Sequence, residues 1–139
     1  MSLERIIGMS SGAMDAQSRR LALAVENISN SDVVSGSPET AYKAKRVNFA
    51  TILEHQVDAD RRETVGGVRI NEEYEDERAV PATYEPDDPL SDENGFVYPS
   101  NVDSMIEMVE ITQASRAFET NIEAMNLSLI HISEPTRRM

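Results

Sequence analysis

SNVDSMIEMVEITQASRAFETNIEAM, Ser100 to Met125, sets the expected fold of this chain. Met108, Ile111, Ser115, Phe118, Ile122 and Met125 recur at alternating steps of three and four, the spacing that gathers side chains on one stripe of an α-helix. Such a seam needs a partner helix. Pro99 disfavours helical geometry at the residue before it, and Ser100 is placed to cap the amide of Asp103, whose carboxylate suits a helix N-terminus. A helix is therefore expected from residue 100.

The partner lies at the other end of the chain. Leu3, Ile7, Ser10, Met14, Gln17, Leu21, Ala24 and Ile28 keep the same rhythm without a slip, with Ser2 as cap and Glu4 in the first turn. Joining the two helices closes a loop of roughly 70 residues, at on the order of 4 kcal/mol. Burying two or three Leu, Ile or Met side chains, at roughly 1.5–3 kcal/mol each, offsets that cost. Ser10, Gln17 and Ser115 weaken the pairing, and Gly8 and Gly12 weaken the first turns of the helix by about 1 kcal/mol each. Seams of this quality are expected to be completed by other chains. The fold class is α+β: long N- and C-terminal helices forming a coiled-coil-like pair, residues 1–30 and 100–126, around a loop and small β-rich insertion, residues 31–99.

Within that insertion, Asn27 to Thr40 (NISNSDVVSGSPET) is turn-forming throughout. Tyr42 to Phe49 alternates like a short strand. Thr51 to Glu63 is polar and charged, and reads as either a short helix or a disordered loop. Strands are expected at Val68 to Ile70 after Gly66-Gly67, at Arg78 to Tyr84, and at Phe96 to Tyr98 behind an Asn94-Gly95 turn. Pro81 pushes the second of these toward a sheet edge.

Composition removes several function classes. The chain has 139 residues, 5% aromatics, no tryptophan and a net charge of −12, so a compact single core would be thin. No basic stripe exists to replace counterions on phosphates, which argues against nucleic acid. Lys43, Lys45 and Arg46 read as a solvated strand face, as does the acidic run Glu72, Glu73, Glu75, Asp76 and Glu77. No apolar run is long enough for a membrane span, and MSLERIIGMSSG lacks the pattern of a cleaved signal. Cysteine is absent, which removes disulfides, thiolate ligands and thiol nucleophiles.

Catalytic sets are missing as well. His55 and His131 are the only histidines, and neither stands in a nucleophile or metal motif. A calcium loop counted back from Gly95 has Asn94 and Asp92 in place, but Leu90 at the first ligand and Asn101 where a bidentate glutamate belongs. No glycine loop cradles phosphate. The expectation is a non-enzyme with no cofactor and no metal.

Four stretches carry a family resemblance: AQSRRLALAVENISNSDV (Ala16 to Val33), AYKAKRVNF (Ala41 to Phe49), YEPDDPLSDENGFVYPSNVD (Tyr84 to Asp103) and EMVEITQASRAFETN (Glu107 to Asn121). Together they resemble the bacterial flagellar basal-body rod proteins, and among them the proximal-rod branch. The resemblance spans most of residues 1–126. It implies a structural subunit, exported unfolded and uncleaved through the flagellar type III apparatus and assembled in the periplasm with copies of itself and other rod proteins. Terminal helices would build the inner tube, and the β insertion would face outward. The seam residues Leu3, Ile7, Met14, Leu21, Ala24, Ile28, Met108, Ile111, Phe118, Ile122 and Met125 would then serve assembly. Asn27, Asn101, Asp103, Glu107, Arg116 and Asn121 would act as off-seam polar contacts fixing register between subunits, with Arg116 in an inter-subunit ion pair.

Two stretches depart from the family pattern. NISNSDVVSG carries Asp32 and Val33 where many relatives have threonine and then Gly-Tyr. LSLIHISEPTRRM, Leu127 to Met139, resembles an in-frame translation of a transposase adapter used in sequencing libraries, so residues 127–139 are expected to be non-native. The competing reading of the whole is a soluble coiled-coil adaptor or export-regulating protein, which would form a small defined oligomer.

Overall fold

The computed structural model describes residues 3–58 and 61–133. Helix α1 runs from Leu3 to Ser29 and is followed by strand β1, Val34–Ser35. Two long strands come next, β2 at Lys45–Asp58 and β3 at Arg61–Glu75. Short strands β4, Thr83–Tyr84, and β5, Phe96–Pro99, precede helix α2 at Ser104–Ser133. The architecture is α+β, with α1 and α2 packed along each other and the strands between them in sequence.

Helix α2 starts four residues later than Ser100. Asp103 is its cap: Oδ1 accepts the Met105 amide at 3.0 Å, the second helical position, while the Asp103 carbonyl takes the Glu107 amide at 3.0 Å. Ser100 is used elsewhere, donating its hydroxyl to the Ser31 carbonyl at 2.6 Å. That bond ties the approach to α2 to the turn after α1. The proposed cap at Ser2 lies outside the described residues.

The strands form two sheets, not one. In the first, β5 is central and antiparallel to both β1 and β4, pairing Val34 with Pro99 and Thr83 with Val97. Gly95 turns into β5 with φ +84°, where a side chain would meet the Tyr84 ring at 2.9 Å. Only Thr83–Tyr84 of the strand expected at Arg78 to Tyr84 forms, on a sheet edge.

The second sheet is the β2–β3 ribbon, antiparallel from the Lys45–Glu75 pair to the Asp58–Arg61 pair. It replaces the helix or loop expected over Thr51 to Glu63, of which residues 59 and 60 lie outside the described residues. It also absorbs Gly66-Gly67 into the middle of β3, where Ile52 and Leu53 pair with them. Asn48 pairs with Glu72 and Phe49 with Ile70, so Asn71 is an extra residue and bends β3 at a bulge. The ribbon lies on α1, and Gly12 makes this possible: a side-chain carbon there would stand 3.2 Å from the Val68 carbonyl oxygen.

The core is as thin as composition implies. Among the described residues its buried apolar members are Ala16, Leu23, Ala24, Ala41, Ala44, Val97 and Ala114, of which only Leu23 and Val97 are large. Small side chains let the helices approach closely but bury little apolar area. Polar groups must then account for much of the fit.

Candidate functional site

Where the thin apolar line ends, α1, α2 and the base of the ribbon meet on a polar clasp. Asn27, on the last turn of α1, is fully buried. Its Oδ1 accepts the Lys45 amide and the Tyr42 hydroxyl, each at 2.9 Å. Its Nδ2 donates to the Lys45 carbonyl at 3.0 Å and to Glu107 Oε2 at 3.2 Å. Both donors and both lone pairs of the amide are therefore engaged, and the side chain pairs with the Lys45 backbone as a neighbouring strand would.

Asn101 does the same from the other side. Its Oδ1 accepts the Ala44 amide at 2.7 Å, and its Nδ2 donates to the carbonyls of Asp76 and Arg78, each at 3.0 Å. The Asn101 amide adds a bond to the Tyr42 carbonyl at 3.3 Å. Two asparagines, one leaving the first helix and one approaching the second, thus hold the start of β2 between them.

Glu107 is 0% exposed, a position a carboxylate takes only with partners. Besides Asn27, it has Arg46, whose Nη2 stands 2.6 Å from Oε1 in a close ion pair. Burial pulls the Arg46 guanidinium down, but the bond and charge of Glu107, with help from Glu110 and Asp76, outweigh it and raise its pKa. Tyr42 is pushed up by burial first and then by the charges of Glu26 and Glu107. One turn further along α2, Arg20 of α1 reaches Glu110 at 2.6 Å and Gln113 at 2.9 Å. The Arg20 hydrogen bond holds the Glu110 carboxyl below its ordinary range. At the rim, Lys45 pairs with Glu26 at 2.6 Å, and Arg19 takes Glu73 in a two-point pair that fastens α1 to β3.

These contacts correct several readings of the basic and acidic runs. Arg46 is not on an open face: its side chain is half-buried, 19% exposed, and paired with Glu107 of α2. Of the acidic run, Glu72, Glu73, Glu75 and Glu77 are exposed as expected, although Glu73 pairs with Arg19, and only Asp76 is half-buried, between Arg46 and Arg78. Alternation over Tyr42 to Phe49 marks Tyr42 as an inward candidate, but no motif flags Arg20 or Glu110 as central. Their only signal is that Arg20 and Glu110 interrupt helices otherwise lined with apolar and small residues.

Of the seam residues, Ala24 is buried, and Leu3, Ile7, Met14, Leu21, Ile28, Ile111, Phe118 and Met125 are half-buried. Met108 is 57% and Ile122 39% exposed. The packed line of α2 runs through Glu107, Ile111, Ala114, Phe118 and Asn121, sharing only alternate members with the hydropathy stripe. The cause is the clasp: turning α2 to bury Glu107 against Asn27 and Arg46 also brings in Ala114 and swings Met108 outward. Asn27 and Glu107 therefore lie on the packed face and not beside it. Asn121 is half-buried and donates to the Ala117 carbonyl at 2.9 Å. Arg116 is exposed and has no ion pair with any described residue. His131 is exposed on α2, and the His55 side chain lies outside the described residues.

Among the described residues no group of three or more His, Cys, Asp or Glu is placed to hold a metal ion. No helix among them is long and apolar enough to cross a membrane. The outer face of α2 instead carries Met105, Ile106, Met108, Val109 and Ile122 in the open.

Comparison with known proteins fits that arrangement. Residues 93–128, the β5 strand with most of α2, match the family model described as flagellar basal body rod FlgEFG protein C-terminal. The chain is 40% identical over 126 residues to the flagellar basal-body rod protein FlgC of Salmonella typhimurium, covering 91% of this chain and 90% of that protein. Identity to FlgC of Escherichia coli O157:H7 is 37% over 126 residues, and to FlgC of Yersinia enterocolitica 36%, with the same coverage. With this likeness running through both terminal helices and the insertion between them, the chain belongs to the FlgC family of flagellar basal-body rod proteins.

Proposed function

We propose that this structural rod subunit assembles through its terminal helices, with copies of itself and with other rod proteins as neighbours, and performs no catalysis. The observation that carries the reading is the outer face of α2, where Met105, Met108 and Val109 are 72%, 57% and 53% exposed on one side of a helix whose other side is already packed. Contiguous apolar surface of this kind on a helix is a mark of an interface. Family membership supplies the setting, the flagellar basal-body rod.

In the same reading the subunit is exported through the flagellar type III apparatus, the rod crosses the periplasm, and Arg116 pairs with a carboxylate of a neighbouring subunit. Residues 127–139 are held apart as an adapter-derived tail, although Leu127 to Ser133 continue α2. Sequencing the intact locus tests that assignment. The reading as a whole is tested by a clean deletion, which should leave cells non-motile with no rod beyond its base. Normal motility would exclude it. Phe118→Asp should abolish assembly while leaving the β2–β3 ribbon folded, because a carboxylate enters the packed line without a partner.

A further inference from the structure

We propose that Asn27, Arg46 and Glu107 form a register key, which lets α1 and α2 pair in one alignment only and only when the base of the β2–β3 ribbon is seated between them. The apolar line cannot do this alone. Ser10, Ala16, Ala24, Ala114 and Ser115 are small, and a stripe repeating every seven residues looks much the same after a slide of seven. The helices run antiparallel, as the Arg20–Glu110 and Asn27–Glu107 contacts show.

The clasp breaks that degeneracy. A slide of seven residues would leave Glu107, 0% exposed here, away from Asn27 Nδ2 and from the Arg46 guanidinium. A buried carboxylate without partners is far worse than a shifted alanine contact. Three elements contribute one residue each: α1 gives Asn27, β2 gives Arg46 and α2 gives Glu107. Asn27 also grips the Lys45 backbone through both its N–H and its carbonyl, so helix register and ribbon docking become one event. The key is internal to the chain and does not depend on the assembly reading.

Because the chain contains no cysteine, register can be read by thiol cross-linking of the full chain. Arg20→Cys with Glu110→Cys reports the native alignment, and Arg20→Cys with Ala117→Cys reports a slide of one heptad. With the key intact, a short bismaleimide should favour the 20–110 product by about tenfold or more. In Asn27→Leu/Arg46→Met/Glu107→Leu, circular dichroism should remain helical while the two products approach equal yield. A triple variant that still gives only the 20–110 product overturns the proposal, because packing alone would then set the register. Should the triple variant lose its helices, Arg46→Met/Glu107→Gln serves in its place. There the slipped product should appear, and its absence again overturns the proposal.

Discussion

Asn27 shows how much a single side chain carries where the core is thin. Its amide satisfies the part-buried Lys45 N–H and C=O and one oxygen of the buried Glu107. Asn27→Ala should therefore cost about 3 kcal/mol in urea unfolding, since each buried group left unpaired costs on the order of 1–3 kcal/mol. A loss below about 1 kcal/mol would mean that water replaces the amide. Asp92 organises the turn into β5: its Oδ1 accepts the Phe96 and Asn94 amides, and its Oδ2 accepts the Tyr98 hydroxyl at 3.0 Å. The Phe96 amide is the main cause holding its pKa below the ordinary aspartate value. With the folded-state pKa below the unfolded one, the stabilisation is complete above the unfolded value of about 3.9 and is lost as pH falls through the folded one. NMR titration should find that low midpoint, with Asp92→Asn removing the acid sensitivity of the Phe96 amide. At this scale the sequence was informative about asparagine and aspartate as special residues, and Asp103 at a helix start was legible as well. That Asn27 and Glu107 face inward was not, because hydropathy scores a satisfied polar group as exposed.

Among the elements, both helices were visible because their apolar and small residues recur at a fixed period over many turns. The β2–β3 ribbon was not. A two-stranded ribbon is held mainly by pairing between its own backbones and so needs no strict alternation of apolar and polar residues, and Thr51 to Glu63 offered no period to find. Pairing across the ribbon and docking on α1 hold it, through Arg19–Glu73 and the close approach at Gly12. Gly12→Val should push β3 from α1, raising hydrogen exchange of the Val68 to Ile70 amides while α1 keeps its helicity. Unchanged protection there would show that the ribbon is held without that approach. The start of α2 was read four residues early for a related reason: Ser100 and Asp103 both suit a cap, and only the Ser100 bond to the Ser31 carbonyl decides between them.

For the whole molecule, the result is a helix pair with a finished inner side and an unfinished outer one. The clasp turns α2 so that Glu107 and Ala114 are covered and Met108 is not. Family membership places the molecule in the flagellar basal-body rod, and under the proposed function the uncovered face is the surface offered to neighbours. The most direct measurement is Met108→Asp introduced at the native locus, with purified variant and cells compared. Because Met108 is exposed, the variant should match the parent in circular dichroism and unfolding midpoint, while cells lose motility and their basal bodies stop short of a complete rod. Full-length rods and normal motility with a folded Met108→Asp protein would contradict the account.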